Sequence, residues 1–228
     1  MKIDIKGVIV PNDDKMIYDW FGIDSVCPKD IGAQIDAANG EDIDIEINSP
    51  GGDVYSGSEM YTAFKSYQGN TAGRIVGVAA SAASVAAMGI KKLTISPTAQ
   101  IMIHNAAGET RGDYREHEHS ADLLKGWNKS IANAYMLKTG MQQNEILSMM
   151  NKETWLTAQD ALKNKFVDEI MFDNELRLSA SIKTSDLLPR EVINKVRNVL
   201  NQDEIKARAE PEPDTTALKA KLALALTL

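Results

Sequence analysis

Ile43-Asp44-Ile45-Glu46-Ile47-Asn48-Ser49-Pro50-Gly51-Gly52 sets isoleucine against acid for five residues and then breaks into turn formers. A period of two places the isoleucines on one face of a strand, and the Asn-Ser-Pro-Gly-Gly cluster predicts a turn at its end. A helix is expected next, with Val54, Tyr61 and Phe64 on one side. Strand, glycine turn, helix is the unit from which the rest of the chain can be read. It recurs as a strand over Arg74 to Val78 leading into an Ala-rich helix over Ser81 to Met88, and strands are expected again at Leu93 to Ile95 and Ile101 to Ile103.

Working outward, Met1 to Val10 alternates Ile3, Ile5 and Ile9 with Lys2, Asp4 and Lys6, which is strand patterning. It lacks the unbroken apolar region of a signal peptide, so nothing points to export. Cys27-Pro28-Lys29-Asp30 reads as a helix start with proline in the first turn, ending near Gly40. Leu124, Trp127, Ile131 and Tyr135 recur at helical spacing between Asp113 and Lys138, with Gly126 as a weak point and Thr139-Gly140 as the stop. Another helix should hold Ile146, Leu147 and Met150. Thr157-Ala158-Gln159-Asp160 resembles a capping box before a short helix and a strand over Phe166 to Met171. Alternating strands and helices imply an α/β domain with largely parallel pairing.

The character changes past Leu178. Residues 1–178 read as the main domain and 179–208 as a helical extension carrying Val192, Val196 and Leu200. Residues 209–228 read as an acidic Pro-containing linker with a Leu/Ala-rich tail, expected to be disordered or truncated.

The chain's 228 residues, 43% apolar, suffice for one substantial core. A net charge of -7 with no concentrated basic stretch leaves no footprint for phosphate neutralisation, so nucleic acid is not expected as a partner. No apolar run approaches the roughly 20 residues that span a bilayer, and a cytoplasmic protein without a membrane partner is expected. Cys27 is the one cysteine, which excludes an internal disulfide and reads as filler rather than nucleophile.

Ser81 stands where a small-residue strand meets the Ala-rich helix, a place where a hydroxyl can project beside free backbone N–H groups. Such donors favour the oxyanion formed when serine attacks a carbonyl. Gly51 and Gly52 would let a backbone approach closely. Of the three histidines, His117 and His119 belong to a charged segment whose spacing does not suit a metal pair, so no metal or other cofactor is expected. His104 differs: it ends the apolar run Ile101-Met102-Ile103 and could serve as a base for a serine. Taken singly, each of these features also has an ordinary structural reading.

Together they resemble the proteolytic subunit of the Clp protease. Ile47 to Gly52, Gly77-Val78-Ala79-Ala80-Ser81, Pro97 through His104, Thr139-Gly140 and Glu153 to Asp168 occur in the family's order, and the resemblance covers roughly Met1 to Ile170. It implies an α/β fold of the ClpP/crotonase type, a spiral of βαβ units whose long helix stacks subunits in rings, heptameric in the family. It implies Ser81 as nucleophile, His104 as base, Gly52 and Ala82 as oxyanion-hole amides, and Gly51 and Gly52 as the edge beside which peptide lies. The third triad member departs from the pattern, since Glu153 stands where the family commonly has Asp; Asp113 and Asp168 are open substitutes.

The tail and the segment Ala79 to Met88 look like the ClpP-like head maturation proteases of tailed phages, which implies scaffold or capsid precursors as partners and a prohead setting. Other readings are a housekeeping-type subunit working with a separate ATPase, a catalytically weak capsid scaffold, a crotonase-type acyl-CoA enzyme, and a Ser-Lys dyad using Lys91 or Lys92. The chain has no Gly-x-x-x-x-Gly-Lys-Ser/Thr loop, so any ATP dependence must come from a partner.

Overall fold

Isoleucine alternation does what the sequence predicts in the first two long strands. β1 (Lys2–Ile9) and β3 (Ile43–Gly52) pair in parallel, with Ile3 opposite Ile45 and Ile5 opposite Ile47, all fully buried. The computed structural model describes residues 1–172. The expected domain end at 178, the extension over 179–208 and the tail over 209–228 lie outside the described residues.

Between those strands come α1 (Lys15–Trp20), the short β2 (Ser25–Val26) and α2 (Pro28–Ala37). After β3 the order is α3 (Val54–Ser66), β4 (Thr71–Ala80), α4 (Ala82–Ala87), β5 (Lys92–Ile95) and β6 (Gln100–Ile103). Then follow α5 (Tyr114–Thr139), α6 (Gln143–Asn151), β7 (Thr154–Leu156), α7 (Ala158–Lys163) and β8 (Glu169–Ile170). The strands form one eight-stranded sheet with the path β2-β1-β3-β4-β5-β8. Every pair on that path is parallel, while β6 leaves β4 as a branch and pairs antiparallel with β7.

The branch point positions the chemistry. The first half of β4 pairs with β5, Ala72 opposite Lys92 through Ile75 opposite Ile95; its second half pairs with β6, Val78 opposite Gln100 through Ala80 opposite Met102. β3, β4 and β6 therefore deliver their carboxyl ends to one place, which is where open α/β sheets hold their ligands.

One face of the sheet is covered by helices and the other carries charge. Met60 and Phe64 of α3 and all of α4 are buried in the core. On the opposite face Glu46 sits among Lys6 (2.7 Å), Lys2 (3.5 Å) and Arg74 (3.7 Å), joining three adjacent strands. Cross-strand pairs of this kind fix register more than they add stability, because a one-residue slip would carry the charges into the core.

Some elements depart from expectation. In α3 the core face is Met60 and Phe64, and Val54 and Tyr61 are only half-buried. The strand expected over Phe166 to Met171 shrinks to Glu169–Ile170, because the amides of Phe166 and Val167 close back on the Ala161 carbonyl at the end of α7. Thr157 accepts from the Asp160 amide, but the reciprocal bond of a capping box is missing there; complete boxes are found at Asp113, whose partner Glu116 returns to the Asp113 amide, and at Gln142, whose partner is Glu145. Gly126 does not interrupt α5. No helix among the described residues is long and apolar enough to cross a membrane.

Phe64 is wholly buried among the sheet isoleucines. Phe64→Ala is expected to cost about 3–5 kcal/mol through the cavity it leaves, read as a fall in the urea unfolding midpoint at unchanged slope.

Candidate active site

Ser81 occupies the single step between β4 and α4, with φ 53° and ψ −126°. A non-glycine residue held there is strained by on the order of 1–3 kcal/mol. The strain is sustained from both sides: the Ser81 amide donates to the Met102 carbonyl at 2.9 Å, and the Ser81 carbonyl accepts from the amides of Ser84 (2.9 Å) and Val85 (3.2 Å). The first of these bonds continues the β4–β6 ladder by one residue. The result is a hydroxyl projecting from the strand end instead of packing on the helix.

His104 follows β6 directly, so the same strand pairing that holds Ser81 brings the imidazole to it. Ser81 Oγ and His104 Nε2 are 2.7 Å apart. With Nε2 as acceptor, the neutral ring carries its proton on Nδ1, and the pair can pass the serine proton to the imidazole as a nucleophile forms. The segment after His104 is pinned to two helices: Asn105 Nδ2 donates to Asn151 Oδ1 at 2.9 Å, and the Ala106 amide donates to Asn128 Oδ1 at 2.8 Å.

The glycine turn lies against this pair. Ser49 is completely buried; its hydroxyl donates to the Gly7 carbonyl at 2.6 Å and accepts from the Gly51 amide at 3.1 Å, so it ties the turn to the neighbouring strand. Gly51 has φ 90°, and a Cβ there would stand 2.5 Å from the Ala80 carbonyl oxygen, 2.8 Å from Ser81 Cβ and 2.9 Å from the Ala82 nitrogen. Gly52 has φ 149°, and its missing Cβ would meet the Ile9 carbonyl oxygen at 2.1 Å. Asp53 then caps α3 by accepting from the Ser56 amide at 2.7 Å.

A cleft of about 360 Å³ opens at Ser81 and His104 and is lined by Gly52, Ala82, Val85 and Trp127 among others. The two residues expected to supply amide donors thus share a cleft with the hydroxyl and the imidazole. α4 has only six residues, so local amides rather than a long helix dipole are what this cleft offers an anion. Trp127 stacks edge-on against Tyr55, ring centroids 5.2 Å apart, and both rings form its apolar wall.

Glu153 is brought near, but not onto, the pair. β7 runs antiparallel to β6 with Thr154 opposite Ile103, so the next step of that ladder would set Glu153 opposite His104. The Glu153 backbone is left-handed, φ 48°, and its carboxylate accepts from Trp155 Nε1 at 3.3 Å. The substitutes are engaged elsewhere: Asp113 caps α5 and pairs with Arg115, while Asp168 accepts from the Leu93 amide and from Lys138 Nζ, each at 2.7 Å. Arg115 holds the Asp113 carboxyl well below the usual carboxylate range. The lysines are occupied too, Lys91 by the Gly69 carbonyl and Lys92 by Glu169.

Cys27 is buried at the start of α2, and burial pushes its thiol pKa up, the opposite of an activated nucleophile. His117 and His119 lie on the exposed surface of α5, and among the described residues no acid, histidine and cysteine cluster could hold a metal. Sequence reading did not single out Ser49, Asn105, Asn128 or Tyr55. Their long-range partners, Gly7 for Ser49, Asn151 for Asn105, Ala106 for Asn128 and Trp127 for Tyr55, belong to distant stretches of the chain, a relation that periodicity does not encode.

Gly51→Ala is expected to abolish labelling of Ser81 by a fluorophosphonate while the far-ultraviolet circular dichroism stays near wild type, because both the positive φ and the clash with Ala80 and Ala82 fall on the serine's own turn. Wild-type labelling by this variant would contradict that geometry.

Residues 26–174 match the family described as Clp protease. An ATP-dependent Clp protease proteolytic subunit from Bacteroides fragilis is 30% identical over 164 residues, covering 69% of this chain and 79% of the relative. One from Deinococcus radiodurans is 29% identical over 164 residues, covering 69% and 80%. Among solved structures, a ClpP1 mutant from Listeria monocytogenes superposes with a TM-score of 0.62 at 22% identity, over 75% of this chain and 90% of that one, a likeness of fold. With the family match spanning most of the described domain, the chain belongs to the Clp protease family and is a ClpP-like serine peptidase.

Proposed function

We propose that the chain is a serine endopeptidase in which Ser81 is the nucleophile, His104 the general base and acid, and Glu153 the group that orients the imidazole. The observation that carries this reading is the 2.7 Å contact between Ser81 Oγ and His104 Nε2 at the strained end of β4. Ser81 Oγ attacks the scissile carbonyl carbon as its proton passes to Nε2. The resulting oxyanion is held by the amides of Gly52 and Ala82. The C–N bond breaks when His104 returns the proton to the leaving amine, and water, deprotonated by the same imidazole, releases the acyl group.

Substrate is proposed to lie extended along the Gly51-Gly52 edge, as an added strand, with an apolar side chain against Trp127 and Tyr55. Glu153 would leave the Trp155 indole to accept from His104 Nδ1 when substrate or a neighbouring subunit arrives, which the near-opposition of residues 104 and 153 makes short work. Homo-oligomeric rings, heptameric as in the family resemblance, are part of the same proposal. So is the setting: scaffold and capsid precursors of a phage prohead, a reading supported by the Ala79 to Met88 segment and the acidic tail. The names of the relatives, ATP-dependent proteolytic subunits, favour a second reading in which a separate ATPase delivers protein substrates to the rings.

Ser81→Ala is expected to abolish peptide cleavage and fluorophosphonate labelling, and His104→Ala to lower kcat by roughly 10⁴ or more. Glu153→Gln should lower kcat by about 10²–10⁴ with KM little changed, as expected for loss of the orienting anion; wild-type turnover by this variant would remove Glu153 from the triad. For the setting, mass spectrometry of candidate scaffold and capsid precursors incubated with wild type or Ser81→Ala should show cuts made by wild type alone. Cleavage only in the presence of an ATP-driven unfoldase would support the second reading instead.

A further inference from the structure

Tyr135 is the largest fully buried side chain of the described core, yet it carries a hydroxyl, and a buried hydroxyl without a partner is costly. Its partner is Ser84, at 2.7 Å between the two oxygens, and Ser84 is itself 0% exposed. Ser84 Oγ donates to the Ser81 carbonyl at 2.7 Å. A serine hydroxyl has one proton, and Ser84 gives it to Ser81, so Tyr135 must be the donor in the Tyr135–Ser84 bond. Burial pushes the phenol pKa well above its ordinary value, so the hydroxyl keeps the proton it gives. Tyr135 on α5, Ser84 in α4 and the Ser81 carbonyl thus form a one-way chain of hydrogen bonds from a buried phenol to the serine's own peptide group.

The chain ends on a peptide group with two sides. The Ser81 carbonyl and the Ala82 amide belong to one planar trans unit, in which C=O and N–H point in opposite directions. Holding the carbonyl in the core aims the amide the other way, and Ala82 lines the cleft beside Ser81 and His104. Hydrogen bonds to a carbonyl also polarise the N–H of the same peptide, a cooperative gain of about 10–30% per bond. We infer that the Tyr135–Ser84 relay positions and strengthens the Ala82 amide as an oxyanion donor, making Tyr135 and Ser84 positioning residues for catalysis.

The inference rests on the proposed roles of Ser81 and Ala82. An oxyanion donor is typically worth a factor of about 10²–10³ in rate, and 10–30% of that effect on the logarithmic scale is a factor of about two to eight.

The test is Tyr135→Phe, which removes only the hydroxyl. Active sites are counted by fluorophosphonate titration so that folding losses drop out. Expected are a roughly two- to eightfold fall in kcat with KM unchanged and an equal loss of affinity for a peptide boronate, whose tetrahedral oxygen occupies the oxyanion position. Affinity for a product peptide should not change. Ser84→Ala should lose at least as much, Ser84→Thr should restore activity by keeping the hydroxyl, and the double variant Tyr135→Phe/Ser84→Ala should be no worse than Ser84→Ala alone. Unchanged kcat and boronate affinity in Tyr135→Phe would overturn the relay, as would equal losses for boronate and product peptide. The Ala82 amide proton resonance separates this from the peptidase reading: it should move upfield in Tyr135→Phe whether or not the protein cleaves anything. A wild type inert to boronate and fluorophosphonate defeats the peptidase reading, whereas an unmoved Ala82 resonance defeats the relay.

Discussion

Everything at the cleft depends on holding Ser81 in a backbone conformation that a serine does not adopt unaided. Its positive φ is maintained because the amide is claimed by the Met102 carbonyl on one strand and the carbonyl by the first turn of α4. The first of these bonds would not exist without the parallel pairing of β4 with β6, and that pairing exists because β4 abandons β5 halfway along its length. The fork in the sheet and the strained serine are one feature seen at two scales. Strain of this size persists only where the surroundings over-determine it, and here a ladder, a helix start and a glycine turn all do so.

The glycine turn is the second constraint, and it acts by omission. Side chains at Gly51 and Gly52 would collide with the Ala80 carbonyl oxygen and with the Ile9 carbonyl oxygen respectively. β3 can therefore lie close to the serine's turn only because Gly51 carries nothing, and close to the end of β1 only because Gly52 carries nothing. Ser49 supplies the opposing force, tying the turn to Gly7 in β1. The charged outer face of the same strands, centred on Glu46, keeps the register in which those glycines fall at the end of β3.

Alternating isoleucines in β1 and β3, the Asn-Ser-Pro-Gly-Gly turn and the spacing of α5 were legible in the sequence because each is a local pattern with a local physical cause. α1 was not: Met16, Ile17 and Trp20 are all exposed, so no apolar stripe faces the core to announce a helix. β2 and β7 have two and three residues and owe their existence to a partner strand, information absent from the segment itself, and β8 was legible as a strand but not in its two-residue extent. Ser81 and His104 stood out in the sequence because their strand ends are marked by small and apolar runs. The Glu153 carboxylate faces Trp155, a choice between two neighbours that spacing does not contain. Tyr135 read correctly as core from its helical spacing, but its hydroxyl's bond to a residue 51 positions earlier had no local signature.

The parallel pairing of β1 with β3 has a further consequence. Strands joined in parallel need long connections, and such non-local contacts form slowly and late. Ser49 to Gly52, Ser81 to Ser84, His104 and Tyr135 come from four separate stretches that meet only when the sheet and α5 are in place. A chain still being synthesised, with β4 out but β6 and α5 not, has neither the Met102 carbonyl that holds the Ser81 amide nor the Tyr135 hydroxyl behind Ser84. Its serine is an ordinary alcohol. Under the proposed role of Ser81, latency during synthesis is thereby written into the connectivity of the sheet.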